Sequence, residues 1–386
     1  MKILQVIEPG CDGAFRHVEA LIHGIISCGA RVSLAYSSIR SSDRLEPLVR
    51  RVRTAGGDTL DLRVGNAPQG SDFQAMFQLW SLVRRGKFDV VHLHSSKAGA
   101  LGRALWFLGC RTPLVYTPHA YFGMGGTGGV KRRVFNEIEW ALGHIGTTIN
   151  VSSDEAEWAR VHIALNPARQ KVIPNAVDTS HFAPGDEKSR ENWRLCLRLP
   201  PDSVLLGTVG RLSFQKDPHT LYRALALACA DQKHLYLCHL ANGTPEDADA
   251  IDKLARSLGI AQRVLRRPYM TDPLDFYRGI DAFILTSRYE GMSYAVLEAL
   301  SCDLPLLLSD VPGNRDFLKL GLSHVWSAPA EDSPSFARAI NEWLVDRSAK
   351  RNSNHRFMAR DRFDLTVSGE AIMSLYCELI DSRYRN

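Results

Sequence analysis

The chain has 386 residues, 45% hydrophobic and 23% charged, with 47 lysines and arginines against 42 aspartates and glutamates and a formal net charge of +5. That length exceeds one ordinary core and suits two domains of under about 200 residues each, and so mild a positive excess does not argue for a nucleic-acid partner. The opening MKILQVIEPG is too short in apolar residues for a signal peptide and no run reaches a membrane span, so the expectation is a cytoplasmic chain, at most peripheral on the inner face of the cytoplasmic membrane.

From the first residues onward, β-branched and leucine-rich runs alternate with helical patterns. KILQVIE, ARVSLAYS, DTLDLRV, FDVVHLHS, PLVYTPH, GTTINVS and QKVIPNAV read as strands, and patterns such as Arg16 to Ser27 and Ala98 to Leu108 read as helices. After Pro184 a second series follows: SVLLGTVG, HLYLCHLA, RVLRRPY, DAFILTS, LPLLLSD and HVWSA. The alternation predicts parallel sheets covered by helices on both faces. Two doubly wound α/β domains result, 1–180 and 181–365, joined near IPNAVDTSHFAPGD, with a last helix over 366–386 packing back toward the first domain. In such sheets ligands sit beyond the carboxyl ends of the strands.

The loop after the first strand, EPGCDGAFRHV, has glycines at 10 and 13 in place of a G-x-G-x-x-G fingerprint. The second strand ends in Ala35-Tyr36-Ser37 without an acid for a ribose, which disfavours a dehydrogenase. His92 and His94 share one face of VVHLH and, lacking cysteine or carboxylate companions, read as hydrogen-bonded core residues. The segment GMGGTGGVKRRVFNEIEW couples a glycine-rich loop, Gly123 to Gly129, to Lys131, Arg132 and Arg133 on an amphipathic helix. Solvated charges, or contact with an anionic acceptor or membrane surface, both fit it. Its aromatics follow the basic run instead of alternating with it, which again disfavours nucleic acid. The eight cysteines are scattered without a C-x-x-C pair and read as small core residues of a reducing compartment.

In the second series, GTVGRLSFQKDP places Arg211 and Lys216 at a strand-to-helix passage after Gly210, where both cations could reach one diphosphate. Asp247-Ala248-Asp249 resembles a metal-binding D-x-D, but it lies among acids at the first turn of a helix and reads as support for its dipole; no metal site is expected. The stretch SRYEGMSYAVLEALSC sets Glu290 and Glu298 eight positions apart, about 12 Å at helical rise. Amides around Ser293 to Ala295 open a helix and form an anion site. The two acids would bracket a nucleotide sugar whose phosphates face that helix start.

These stretches, with IPNAVD, VHLHSSKAGALGR and VYTPHAYF, resemble a retaining glycosyltransferase of family 4 with the GT-B fold, two Rossmann-like domains facing a central cleft. The likeness spans nearly the whole chain and is greatest to members that build bacterial O-antigen and exopolysaccharide on undecaprenyl-diphosphate carriers. It implies diphosphate contacts at Arg211 and Lys216, a ribose contact at Glu298, a sugar contact at Glu290, and His119 lining the donor-sugar and acceptor cleft. It further implies donor contacts at Gly13, Gly210, Met292, Ser293, Tyr294 and Ala295, and an acceptor or membrane role for Lys97 with Lys131, Arg132 and Arg133. The implied activity is metal-independent transfer, with retention, from a nucleotide sugar, most simply a UDP-sugar, to a saccharide carried on a lipid diphosphate. The nucleotide sugar is then a substrate, and no cofactor is called for. Two alternatives remain: a nucleotide-sugar 2-epimerase of the same fold, and a non-catalytic partner that binds a sugar nucleotide.

Overall fold

Short apolar runs without an alternating polar face are stable in a parallel sheet buried on both sides, and all thirteen strand runs of the sequence form strands in two such sheets. The computed structural model describes residues 1–65, 68–125, 129–230, 232–346 and 354–385. The chain divides into two units, one of Met1–Ala176 with Leu365–Asn386 and one of Val177–Asp364.

Unit 1 begins with β1 (Lys2–Ile7), α1 (Asp12–Ser27), β2 (Arg31–Tyr36), α2 (Leu45–Thr54), β3 (Thr59–Asp61) and α3 (Ser71–Gly86). It continues with β4 (Val90–His94), α4 (Ser96–Ala104), β5 (Leu114–Thr117), α5 (Val130–Leu142), β6 (Thr147–Asn150), α6 (Ser153–His162) and β7 (Gln170–Val172). Strand order is β3-β2-β1-β4-β5-β6-β7, every pairing parallel. The order reverses between β1 and β4, the switch point at which such sheets open a crevice. The expected helix over 98–108 starts earlier, at Ser96, and tightens over Leu105–Leu108 into a 3-10 turn that Gly109 ends at φ +82°. Only a residue without Cβ takes that conformation cheaply.

Unit 2 runs α7 (Glu187–Cys196), β8 (Val204–Arg211), α8 (Pro218–Cys229), β9 (Leu235–Asn242), α9 (Pro245–Ser257), β10 (Val264–Pro268) and α10 (Leu274–Gly279). Then come β11 (Ala282–Leu285), α11 (Tyr294–Ser301), β12 (Leu306–Ser309), α12 (Arg315–Leu318), β13 (Val325–Ala328), α13 (Ser333–Asp346) and α14 (His355–Arg362). Its order is β10-β9-β8-β11-β12-β13, again all parallel, with the switch between β8 and β11. At the start of α9, Thr244 and Asp247 form a reciprocal capping box and Asp249 pairs with Lys253 at 2.7 Å. Asp247 therefore satisfies an orphan amide at the helix end, and Asp249 is half of an exposed ion pair one turn along the helix.

The last helix, α15 (Leu365–Arg385), belongs to unit 1. Its Ile372, Leu375 and Tyr376 are buried with Ile3 and Ile7 of β1 and Phe15, Val18 and Ile22 of α1. The cysteines correct the reading that made them all core residues. Cys110, Cys238 and Cys302 are buried, but Cys28, Cys196 and Cys377 are exposed. Cys28 and Cys196 stand at helix C-termini, where the chain turns outward. Among the described residues no helix is long and apolar enough to cross a membrane.

Because α15 completes the unit 1 core, Ile372→Ala should cost unit 1 about 2–5 kcal/mol by loss of burial and creation of a cavity. Native-state hydrogen exchange checks this: β1 and β4 amides should lose protection while β8 and β9 amides keep theirs. Unchanged β1 protection would contradict the packing.

Candidate active site

In unit 2 the two motif stretches, far apart in sequence, are stitched together where β8 and β11 end. Arg288 N donates to Gln215 O at 2.8 Å, Gln215 Nε2 donates to Tyr289 O at 3.2 Å, and Thr286 Oγ1 donates to Asp217 O at 3.0 Å. Asp217 holds the N-cap of α8 in a left-handed conformation, φ 44°, and accepts from the Arg288 guanidinium at 3.2 Å. Arg288 in turn lies over the Phe214 ring. Such cross-bonds leave neither loop free to choose its own shape.

They bring Lys216 onto Glu290, Nζ to Oε1 at 2.6 Å, with the Glu290 residue only 5% exposed. Attraction is strong at this distance in a poorly solvated place, and separating the partners would strand a charge. Gly210 makes room for the pair, since a Cβ there would meet Lys216 Cγ at 3.2 Å. Arg211 at the end of β8 is exposed and donates to Gln215 Oε1 at 3.4 Å.

Downstream, Met292 and Ser293 are buried, and Tyr294 and Ala295 open α11. Ser293 occupies the N-cap without a side-chain cap hydrogen bond, which leaves the first turn of α11 uncapped by its own hydroxyl. Glu298 is 1% exposed and accepts from the Tyr277 hydroxyl of α10 at 2.7 Å.

One participant was not singled out in the sequence. Gly313, at φ +86° after β12, packs so closely that a Cβ would lie 2.4 Å from the Gly291 carbonyl oxygen, and Pro312 O accepts from Glu290 N at 3.2 Å. The turn VPGN thus props the Glu290 backbone. Its Pro-Gly pair marks a turn in the sequence, but nothing in it says which loop the turn supports. Beside the ends of β8, β9 and β10, a cavity of about 290 Å³ is lined by Leu212, Asn242, Gly243, Arg267 and Pro268 among others.

In unit 1, His119 follows β5 and, with Ala120, takes positive φ, 56° and 78°. Left-handed backbone costs a non-glycine residue roughly 1–2 kcal/mol. Glu155 of α6 holds the turn, accepting from Ala120 N at 2.7 Å and Val151 N at 2.6 Å. His119 Nε2 lies 3.2 Å from His94 Nδ1, and His17 of α1 packs edge-on against His119. Burial pushes His17 down to about 4. It also pushes His92, His94 and His119 well below the usual histidine range, assisted by the neighbouring rings. All four rings are therefore neutral at pH 7.

His92 is hydrogen-bonded on both nitrogens, to Tyr376 and Thr117. His94 has companions the sequence reading did not supply. The nearest ligand atoms of His17, His94 and His119 lie within 4.8 Å of one another, whereas a tetrahedral zinc 2.0–2.1 Å from each would need about 3.4 Å. The rings would have to move to hold an ion.

The remaining residues separate. Gly13 sits in the first turn of α1. Lys97 is largely buried and paired with Asp72 of α3 at 2.7 Å, so it is not a surface cation. Lys131, Arg132 and Arg133 are exposed in the first turn of α5, and Lys131 Nζ lies 5.2 Å from the Phe122 ring. Of the glycine-rich loop, Phe122–Gly125 is a 3-10 turn, and residues 126–128 lie outside the described residues. Buried Glu139 anchors α5 through Arg103 of α4 at 2.7 Å and the Tyr116 hydroxyl at 2.8 Å.

Residues 11–181 match the family model Glycosyltransferase Family 4, and residues 189–361 match Glycosyl transferases group 1. The chain is 27% identical over 315 residues to the UDP-Gal:alpha-D-GlcNAc-diphosphoundecaprenol alpha-1,3-galactosyltransferase of Escherichia coli, covering 80% of each chain. It is 30% identical over 281 residues to the D-inositol 3-phosphate glycosyltransferase of Geodermatophilus obscurus, 68% of this chain and 60% of that one. Among solved structures, Anabaena HepE in complex with UDP-glucose superposes with a TM-score of 0.81 at 19% identity, over 98% of this chain and 100% of that one. The fold is that of GT-B proteins, two Rossmann-like domains.

Lys216→Met should destabilise unit 2 by about 3–5 kcal/mol, because it leaves Glu290 buried without its partner. The double variant Lys216→Met/Glu290→Gln should recover most of that loss. Thermal unfolding of the four proteins reads the cycle. Additive losses would mean the two side chains do not act as a pair.

Proposed function

We propose that this chain, a member of the family 4 glycosyltransferases, moves a sugar from a UDP-sugar, with retention at the anomeric carbon, to a saccharide carried on a lipid diphosphate in bacterial surface-polysaccharide assembly. The observation that carries this reading is the Lys216–Glu290 pair beside the start of α11, where the N-cap Ser293 makes no side-chain cap hydrogen bond, with Arg211 at the same strand ends. A departing nucleoside diphosphate needs fixed positive charge where its own charge grows. Arg211, Lys216 and the α11 amides supply it without a metal. The acceptor hydroxyl attacks the anomeric carbon on the face the phosphate leaves. That carbon–oxygen bond forms as the bond to phosphate breaks, and the departing phosphate oxygen takes the hydroxyl proton.

Glu290 orients the sugar and Glu298 receives the ribose hydroxyls, while the cavity beside β9 and β10 accommodates the base. His119 of unit 1 contacts the sugar. A UDP donor and a lipid-diphosphate acceptor agree with the E. coli relative's name, and UDP-glucose in the HepE complex agrees with the donor.

The acceptor's carrier places the protein at the inner face of the cytoplasmic membrane. Val130, Val134 and Ile138 of α5 are 80%, 49% and 39% exposed and recur every four residues, one stripe of the helix. With Lys131, Arg132 and Arg133 at its start, the helix combines apolar contact with charge, as interfacial helices do.

Kinetics with a panel of nucleotide donors tests the donor assignments. Glu290→Gln should abolish transfer, Glu298→Gln should mainly raise the donor KM, and Arg211→Ala should cut kcat by about a hundredfold, the scale of one preorganised donor. Chelating divalent ions should change little, and donor alone should give no isomer. A strict manganese or magnesium requirement would overturn the mechanism, and an isomerised donor would move the chain among epimerases.

For the membrane, flotation with anionic liposomes should separate wild type from a variant with serine at 131, 132 and 133, each cation contributing about 1 kcal/mol. Equal flotation at low salt would remove the assignment.

A further inference from the structure

A chain of buried polar groups in unit 1 runs from the C-terminal helix to His119, and none of it except its last member enters the transfer reaction above. Gln5 of β1 presents Nε2 to the Tyr376 hydroxyl at 3.1 Å and Oε1 to His94 Nε2 at 2.7 Å. The Tyr376 hydroxyl meets His92 Nδ1 at 2.6 Å, and His92 Nε2 meets Thr117 Oγ1 at 2.8 Å. Gln5, His92, His94, Thr117 and Tyr376 are all buried to within 1%. Water therefore does not compete for these bonds, and each proton position is set by its neighbour.

The Gln5 amide donates to the tyrosine oxygen, so the tyrosine hydroxyl donates to His92 Nδ1 and His92 Nε2–H donates to Thr117. On its other side the amide oxygen only accepts, so neutral His94 carries its proton on Nε2 and leaves Nδ1 bare. Nδ1 of His94 can then only accept from His119 Nε2–H. His119 is thereby left with a bare Nδ1, an atom without a hydrogen-bond partner among the described residues.

We propose that Tyr376 and Gln5 are positioning residues that hold His119 as its Nε2–H tautomer, so that Nδ1, closed to solvent in this structure, is a fixed acceptor for a hydroxyl of the sugar substrate once binding uncovers it. This rests on the reading of His119 as a sugar contact. The reverse register would require Gln5 to turn its amide over, which brings an N–H against His94 Nε2 and makes Tyr376 donate to Gln5 instead. His119 would then hold a buried N–H at Nδ1, the rarer and costlier orphan. The hydroxyl of one tyrosine on the last helix thus joins the two halves of the relay.

Long-range 1H–15N spectra of histidine-labelled protein read the tautomers without any substrate. Wild-type His119 should show a protonated Nε2 and a bare Nδ1. In Tyr376→Phe the Gln5 amide loses its acceptor, and His94 and His119 should move toward mixed tautomers. In transfer assays Tyr376→Phe should lower kcat about tenfold, with donor KM changed less than about twofold. The double variant Tyr376→Phe/His119→Ala should be no slower than His119→Ala. A pure Nε2–H His119 in Tyr376→Phe, or additive losses in the double variant, would overturn the proposal. If His119→Ala is fully active while the tautomers still shift, the relay stands and the sugar contact fails. Gln5→Met, similar in size and without an amide, should give the same spectra as Tyr376→Phe, and it reads the relay should the tyrosine variant not fold.

Discussion

Both candidate sites depend on the parallel ladder. Strands that all run one way, with helices on both faces, bring every carboxyl end to the same edge of the sheet. There the backbone leaves the ladder and its polar groups need other partners. In unit 2 the chain leaving β8 carries Arg211 and Lys216, that leaving β11 carries Glu290, and that leaving β12 carries Gly313. Their mutual hydrogen bonds replace those the ladder no longer supplies. In unit 1 the chain leaving β5 carries His119 and the one leaving β6 carries Glu155, whose carboxylate accepts from Ala120 N in the strained turn and from Val151 N directly after β6.

The strands were legible because a sheet buried on both faces writes itself as plain apolar runs, and thirteen of these could be placed without knowing their neighbours. Switch points follow from the order of the strands, which a sequence does not state, yet the rule that chemistry gathers at strand ends is enough to point to GRLSFQKDP and SRYEGMS. Contact between particular atoms was not legible. Lys216 looks as available as Lys97 in the sequence, and the structure commits the first to Glu290 and the second to Asp72. Gly313 reads as an ordinary turn. Gln5 sits in an apolar strand pattern, 371 positions from the tyrosine it binds. His17 reads as one more residue of an amphipathic helix. Long-range partners of this kind leave no local period, so neither spacing nor propensity reveals them.

Cysteine illustrates the same limit from the other side. Residue type gives an average tendency to be buried, but exposure of Cys28 and Cys196 is decided by their place at helix ends. A reading that knew where α1 and α7 stop would have placed both outside the core.

The two candidate sites solve the burial of polar groups in opposite ways. Unit 2 keeps charge and pairs it: Lys216 with Glu290, and Arg288 with Asp217. Such pairs break even on desolvation only when geometry is tight and the remaining hydrogen bonds are filled, which explains the loops braced around them. The histidine cluster of unit 1 gives up charge, although Arg103 and Glu139 elsewhere in that unit are buried as a pair: burial drives four rings to the neutral form, and a neutral imidazole can be buried for the cost of satisfying one donor and one acceptor. A phosphate leaving group calls for the first solution, since fixed cations stabilise growing negative charge. An uncharged sugar hydroxyl calls for the second, since a directed lone pair can orient it without attracting the phosphate. The division of chemistry proposed for the two units therefore follows from how each one handles the cost of putting polar groups where water is scarce.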